Sequence, residues 1–289
     1  MKAVLLLAHG TPESLDDMPE YLTRVRGGRP PSPELIEEMR HNYGAIGGRS
    51  PLTDITLAQA GALASALDGM PVYVGMRNWR PYIADVLAEA AAAGVREMVA
   101  VPMAPQYSTL SVAKYGEALE ASRPPGMAVR FVRSWHEHPG LLDAFAEKVR
   151  AARAAGPWDR VLFTAHSLPL RVVAQGDPYP EELAATARGV AERAGVTDYM
   201  RAYQSAGRTP EPWLGPPLEE ALATAAAEGA RRVLAVPVGF VCDHTEILFD
   251  IDVQAAQAAQ RLGIEVGRTE SLNTSPTFIR ALADLVRET

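Results

Sequence analysis

The sequence predicts an α/β protein of two similar lobes, each built on a parallel sheet, with a cleft between them. Three observations carry this. Short apolar runs alternate with long helix-forming stretches along all 289 residues, the pattern of βαβ units whose sheets are covered on both faces. A long segment occurs twice. Trp79-Arg80-Pro81 leads into IADVLAEAAAAGVREMVAVP, ending at Pro102, and Trp213-Leu214-Gly215-Pro216-Pro217 leads into LEEALATAAAEGARRVLAVP, ending at Pro237. A shorter pair opens each half: VLLLAHGTP over Val4–Pro12 and VLFTAHSLP over Val161–Pro169. Two repeated pairs in the same order imply two related, Rossmann-like lobes.

Each element has a local reason. Val4–Ala8 is apolar throughout and runs straight into His9-Gly10-Thr11-Pro12, so it reads as a buried first strand, too short for a signal peptide's apolar core. Further strands are expected at Val72–Gly75, Met98–Val101, Val129–Val132, Val161–Thr164 and Val233–Val236. The helix in each long repeat has Pro in its first turn, Ala, Leu and Glu in its body, and Gly94 or Gly229 as its stop. The lobes are drawn as residues 1–145 and 146–275, with a final helix over 276–289 packing back on the first lobe. Ligands of open α/β sheets bind beyond the carboxyl ends of the strands. That rule gathers His9, the segment after Pro102, His166 and the segment after Pro237 around one crevice.

Composition narrows the function. Hydrophobic residues make up 47% and charged residues 22%, an ordinary globular balance. A net charge of −7 argues against nucleic acid as partner. Cys242 is the single cysteine, which precludes an internal disulfide and a four-cysteine iron–sulfur cluster and fits a reducing compartment. No apolar run approaches the roughly 18–20 residues of a spanning helix. The expectation is a cytoplasmic protein, with a peripheral visit to a membrane left open.

Two segments can carry chemistry. His166 lies just past a strand and is mirrored by His9; histidine titrates near neutrality and is the commonest metal ligand. Read alone, it is a hydrogen-bonded histidine beside a turn. Asp243-His244-Thr245-Glu246 follows the strand LAVPVGF, and Glu246, Asp250 and Gln254 recur at helical spacing on one face. The plain alternative is a solvated face with Asp243 as helix cap. The apolar residues between them favour a carboxylate line beside a buried stripe, suited to moving protons or hydrated cations. A histidine and a glutamate on separate loops suit a divalent ion that must arrive and leave, because two ligands do not make a closed structural site. Ser167 lacks a G-x-S-x-G elbow, and Gly44-Ala45-Ile46-Gly47-Gly48 lacks the Lys-Ser/Thr of a phosphate loop. Cys242 reads as a small buried residue.

Over nearly its whole length the chain resembles the ferrochelatase family, compact bacterial type, and within it the coproporphyrin III enzymes. The resemblance rests on seven ordered stretches: AHGTP (8–12), YGAIGGRSPL (43–52), APQYSTLSVAKY (104–115), TAHSLP (164–169), GDPYP (176–180), YQSAGRTPEPWLGP (203–216) and VPVGFVCDHTEILFDID (236–252). It implies a chelatase-like fold with a porphyrin in the inter-lobe cleft and Fe²⁺ as a substrate, with no tightly bound cofactor. His166 matches the family's metal-side histidine, Glu246 its acidic partner, and Asp250 the next carboxylate. Gln254 fills a position where an acid is expected. His9 stands where compact bacterial enzymes commonly have a tyrosine that ligates the product iron. Arg26, Arg29, Asn42, Tyr43, Ser50 and Tyr115 match positions that contact the macrocycle or its propionates. Asn42 replaces an expected basic residue and Gly27 an arginine, so propionate binding leans on Arg26, Arg29, Arg49 or Arg77. Trp213 is a candidate wall. The resemblance also implies a monomer in transient contact with neighbouring haem-pathway enzymes.

Rival readings are a protoporphyrin IX ferrochelatase, a sirohydrochlorin cobalt or nickel chelatase, which shares the strand-then-HG opening, a haem carrier without turnover, and a two-lobed periplasmic-type binding protein. The match over 203–216 and 236–252 disfavours the second, and a carrier has no use for Glu246 and Asp250 behind His166.

Overall fold

Lys2–Ala8 forms strand β1, whose central residues are fully buried, as expected of a strand covered on both faces. A computed structural model describes residues 1–207 and 209–289. Arg208, inside the 203–216 stretch, lies outside the described residues. In the first lobe β1 is followed by α1 (Met18–Val25), α2 (Pro33–Ala45), α3 (Leu52–Ala66), β2 (Val72–Met76), α4 (Ile83–Ala92), β3 (Glu97–Pro102), α5 (Val112–Ser122) and β4 (Ala128–Phe131). Helix α6 (Pro139–Ala155) leads into the second lobe: β5 (Arg160–His166), α7 (Leu170–Ala174), α8 (Tyr179–Ala194), β6 (Tyr199–Gln204), α9 (Leu218–Ala227), β7 (Arg232–Val236), α10 (Thr245–Leu248), a π-helical segment at Asp250–Ala255, α11 (Ala256–Arg261), β8 (Glu265–Arg268) and α12 (Pro276–Glu288).

The two sheets have the same plan. Strand order is β2-β1-β3-β4 in one and β6-β5-β7-β8 in the other, and every pairing is parallel. Val4 pairs with both Val72 and Val99, and Val161 with both Tyr199 and Leu234. The long repeats correspond to α4–β3 and α9–β7. Each is entered through a cis X-Pro bond, Arg80-Pro81 or Gly215-Pro216.

Alternation along the strands sorts the core. Val4, Leu6 and Ala8 face a shared layer with Val161 and Phe163, filled from α3, α6, α8 and α12. Ala3, Leu5 and Leu7 face α4 and α5 on the opposite side, while Leu162 faces α9 and the π segment. Residues 145 and 146 are consecutive positions of α6, so the line drawn between the lobes falls inside a continuous helix rather than in a loop. α12 packs on α3 and α6, and Arg287 there donates to the Ala66 carbonyl at 2.8 Å.

Two strands had no signal in the sequence. β6 carries Arg201 and Gln204, which break its apolar run, and β8 is a four-residue edge strand. No helix among the described residues is long and apolar enough to cross a membrane.

Candidate active site

β1 and β5 are the central strands of their sheets, and each delivers a histidine at its carboxyl end. His9 and His166 line one cavity of about 700 Å³ between the lobes. Glu246, Asp250 and Gln254 line the same cavity, so the acidic face predicted from helical spacing points into it. A π-turn lies within the segment; such turns cluster at functional sites.

His166 is oriented by its own backbone neighbour. Its Nδ1 contacts the Ser167 carbonyl, which can only accept, so Nδ1 carries the hydrogen. The Nε2 lone pair is left facing the cleft, 3.7 Å from Glu246 Oε1. The other carboxylate oxygen, Oε2, is 3.6 Å from His244 Nε2. His244 Nδ1 donates to the Cys242 carbonyl at 3.0 Å. Burial opposes the charge on both partners. The pairing outweighs it, raising the His244 pKa, and the imidazoles beside Glu246, His166 first and then His244, bring it down to about 2. Asp250 goes the other way. Burial, and then the neighbouring Glu246 charge, push it up to about 7, although the Ser205 hydroxyl donates to its Oδ2. Ser205 holds that bond from a left-handed backbone, φ +59°, which a non-glycine residue adopts at a cost.

His9 has a different setting. Asn78 Nδ2 lies 3.1 Å from Nε2 and 3.3 Å from Nδ1. A donor in the ring plane reaching both nitrogens would overlap the carbon between them, so the amide sits over the ring face and leaves the in-plane lone pair free. The Tyr21 ring meets His9 edge-on at 6.3 Å. Burial first, then the Arg77 charge, lower the His9 pKa to about 4, so its imidazole is neutral at physiological pH.

Of the other predicted residues, Asn42, Tyr43, Ser50, Arg77, Tyr115 and Trp213 line the cavity. Tyr43 OH and Thr11 Oγ1 are 2.9 Å apart. Arg77 donates to the Leu110 carbonyl at 3.4 Å and stands 5.7 Å from the Tyr115 ring centroid. Among the described residues it has no carboxylate partner, which leaves its charge available to an anion.

The matching family model is Ferrochelatase, over residues 1–289. The chain belongs to the ferrochelatase family. A "Ferrochelatase" of Deinococcus radiodurans is 43% identical over 98% of this chain and 94% of its own length. A "Coproporphyrin III ferrochelatase" of Geobacillus sp. WCH70 is 39% identical over 98% of this chain and 96% of its own. A "Ferrochelatase" of Thermus thermophilus is 40% identical over 98% of each. Among solved structures, SirB of Bacillus subtilis with Fe³⁺ superposes with a TM-score of 0.62 at 13% identity, covering 99% of this chain and 94% of that one. CbiX, described as the terminal enzyme of sirohaem biosynthesis in denitrifying bacteria, gives 0.58 at 14% identity and covers 99% of both. At such identities the likeness speaks for the shared chelatase fold. The protein is therefore an enzyme, a ferrochelatase.

Not every sequence-based residue of this ferrochelatase lies in the cleft. Arg26 and Arg29 are exposed and do not line it; Arg29 Nε donates to the Arg26 carbonyl at 3.2 Å. The chain turns outward after α1 through Gly27 and Gly28, both at positive φ, and leaves these arginines in solvent. Arg49 is likewise exposed and paired with Asp54. Asp243 does not cap a helix, since the residue before α10 is His244; Asp243 accepts hydrogen bonds from Ser271 and Asn273 instead. His244, Ser205, Tyr21, Tyr179 and Tyr203 also line the cavity and were not among the expected site residues. His244 alone had a signal, its place two residues before Glu246.

Proposed function

We propose that this ferrochelatase inserts Fe²⁺ into coproporphyrin III, with His166 and Glu246 on the metal side of the ring and His9 on the opposite side. The observation that carries the site reading is the placement of His166 Nε2 3.7 Å from Glu246 Oε1, in the cavity that His9 also lines. The choice of porphyrin is supported by relatives of 38–40% identity named coproporphyrin III ferrochelatase.

Insertion exchanges two pyrrole N–H protons for one Fe²⁺ and releases two protons. The flat ring must bend before its nitrogens can reach the metal, and a cleft that fits the bent ring lowers the barrier. His166 Nε2 accepts a pyrrole proton, Glu246 balances the incoming charge, and Asp250, with its pKa near 7, passes protons on toward solvent at neutral pH. Gln254 ends that line with an amide that does not ionise. Arg77 anchors a propionate, aided by donors at Asn42, Ser50 and Tyr115, and Trp213 forms a wall. His9, neutral and with a free lone pair, ligates the iron of the product. Iron enters only as substrate, with no resident cofactor, and the enzyme works as a cytoplasmic monomer.

Protoporphyrin IX, with two propionates rather than four, is the second reading. The observation in its favour is that Arg77 is the only arginine or lysine among the described cavity-lining residues. Anaerobic initial rates with each porphyrin, followed by loss of porphyrin fluorescence with His166→Ala as control, decide between them. Faster turnover of coproporphyrin III that collapses in the variant supports the proposal. Preference for protoporphyrin IX reverses the substrate assignment, and tight haem binding without turnover of either would sink both.

A further inference from the structure

The segment that carries Glu246 and Asp250 is poorly equipped to hold itself in place. α10 has four residues, His244 offers no side-chain cap, and the π segment follows closely. So short a helix is not self-sustaining, because its first turn fixes several torsions for a single hydrogen bond. Its position has to come from tertiary contacts.

Ile247, Ile251 and Ala255 sink one face into the core of the second lobe and Gln204 Nε2 donates to the Glu246 carbonyl, while the charged contacts at both flanks meet at Arg268, the last residue of β8. Its Nη2 lies 3.2 Å from Asp243 Oδ1. Its Nε and Nη2 reach Asp252 Oδ1 and Oδ2 at 2.7 and 3.0 Å. Asp243 precedes Glu246 and Asp252 follows Asp250, so one guanidinium grips the segment on both flanks. The Asp243 end is further fixed. It accepts from Ser271 Oγ at 2.7 Å and Asn273 Nδ2 at 2.8 Å, and its backbone N–H donates to Asn273 Oδ1 at 2.9 Å. Asn273 is tied to the other lobe, its carbonyl accepting from Gln59 Nε2 of α3 at 2.9 Å. Arg268 itself does not line the cavity.

We propose that Arg268 is a positioning residue for metal insertion: by bridging Asp243 and Asp252 it sets where Glu246 and Asp250 stand relative to His166, without touching either substrate. The proposal rests on reading Glu246 as the metal-facing carboxylate. A planar fork with fixed donors can serve two carboxylates at once, whereas a lysine offers a single point charge and holds one.

Full-length Arg268→Gln, Arg268→Lys and Asp252→Asn, with Glu246→Gln as reference, are compared for Fe²⁺ kinetics, porphyrin affinity by fluorescence quenching, and thermal midpoint. Arg268→Gln is expected to lower kcat/KM for Fe²⁺ by about ten- to hundredfold, the usual loss when a partner behind a metal ligand is removed, while porphyrin affinity holds. Arg268→Lys recovers part of the loss. Asp252→Asn, at the more exposed arm, shows the same split at about threefold. The clamp is overturned if Arg268→Gln matches the wild type while Glu246→Gln is inactive, or if iron and porphyrin parameters fall together with the thermal midpoint. An active Glu246→Gln overturns the reading of Glu246 instead. Should Arg268→Gln fail to fold, Asp252→Asn decides by the same split.

Discussion

His9 and His166 stand at the carboxyl ends of equivalent strands of two sheets with one topology, β1 and β5, yet their surroundings share little. His9 meets an amide over its ring face and a tyrosine edge. His166 meets Glu246, with His244 on that carboxylate's far oxygen. The divergence arises one strand further along. After β3 the chain enters Ala104-Pro105-Gln106, whereas after β7 it runs through Cys242-Asp243-His244 into the carboxylate-bearing segment. Duplication thus supplies two histidines at one crevice, and a single loop difference gives one of them a base's partner and leaves the other neutral and free. The scaffold sets the positions, and the loops set the chemistry.

The sharpest way to break this comparison is to remove each histidine in turn. His166→Ala is expected to lower kcat for iron insertion by about 10²–10⁴-fold, the range for loss of a proton-transferring group. His9→Ala is expected to keep insertion within about tenfold and to change the Soret band of bound product, as an axial ligand is lost. Equal losses in kcat would mean that the two sides do not differ in role.

A smaller effect separates the turns that follow the histidines. Gly10 has φ +86°, and a Cβ there would lie 2.7 Å from the Trp79 backbone nitrogen. The matching residue of the second lobe is Ser167, whose hydroxyl donates to the Leu214 carbonyl at 2.8 Å. Gly10→Ala is expected to cost about 1–3 kcal/mol in denaturant unfolding, and Ser167→Ala about 1 kcal/mol. The reverse order would show that the first turn relaxes more easily than its backbone implies.

pH sharpens the contrast within the second lobe. Asp250 titrates near 7 when folded against 3.8 ordinarily, so the folded state binds the extra proton between those values. Its contribution is fully present below 3.8 and is lost as pH rises through about 7. Glu246 has the opposite sign: its stabilisation is present above 4.5 and is lost as pH falls toward 2. Asp250→Asn should therefore flatten the decline of the thermal midpoint between about pH 4 and 7. An unchanged slope would mean that Asp250 is already ionised across that window.

The sequence carried more of the fold than of the site. Strand-then-histidine and helix-then-Ala-Val-Pro are local patterns, and both landed on the central strands of the two sheets. β6 and β8 escaped because a polar-studded strand and a four-residue edge have no distinctive period. Glu246 and Asp250 were legible from helical spacing. His244 was not, because its pairing with Glu246 depends on how the chain folds back through the Cys242 carbonyl. Ser205 reaches the cleft, and Asn78 the His9 ring, from loops whose course no local rule gives. The exposure of Arg26 and Arg29 follows from an outward turn that residue type alone does not disclose.

The balance of charge around the cavity has a consequence for kinetics. Glu219, Glu246 and Asp250 line it, and Arg77 is the one arginine or lysine among the described lining residues. Such a field gathers a dication and resists a ring bearing several carboxylates, and the effect weakens once the Debye length shrinks to about 8–10 Å. Rising ionic strength should therefore raise KM for Fe²⁺ and lower KM for the porphyrin, so the two reactants of one turnover respond to salt in opposite directions.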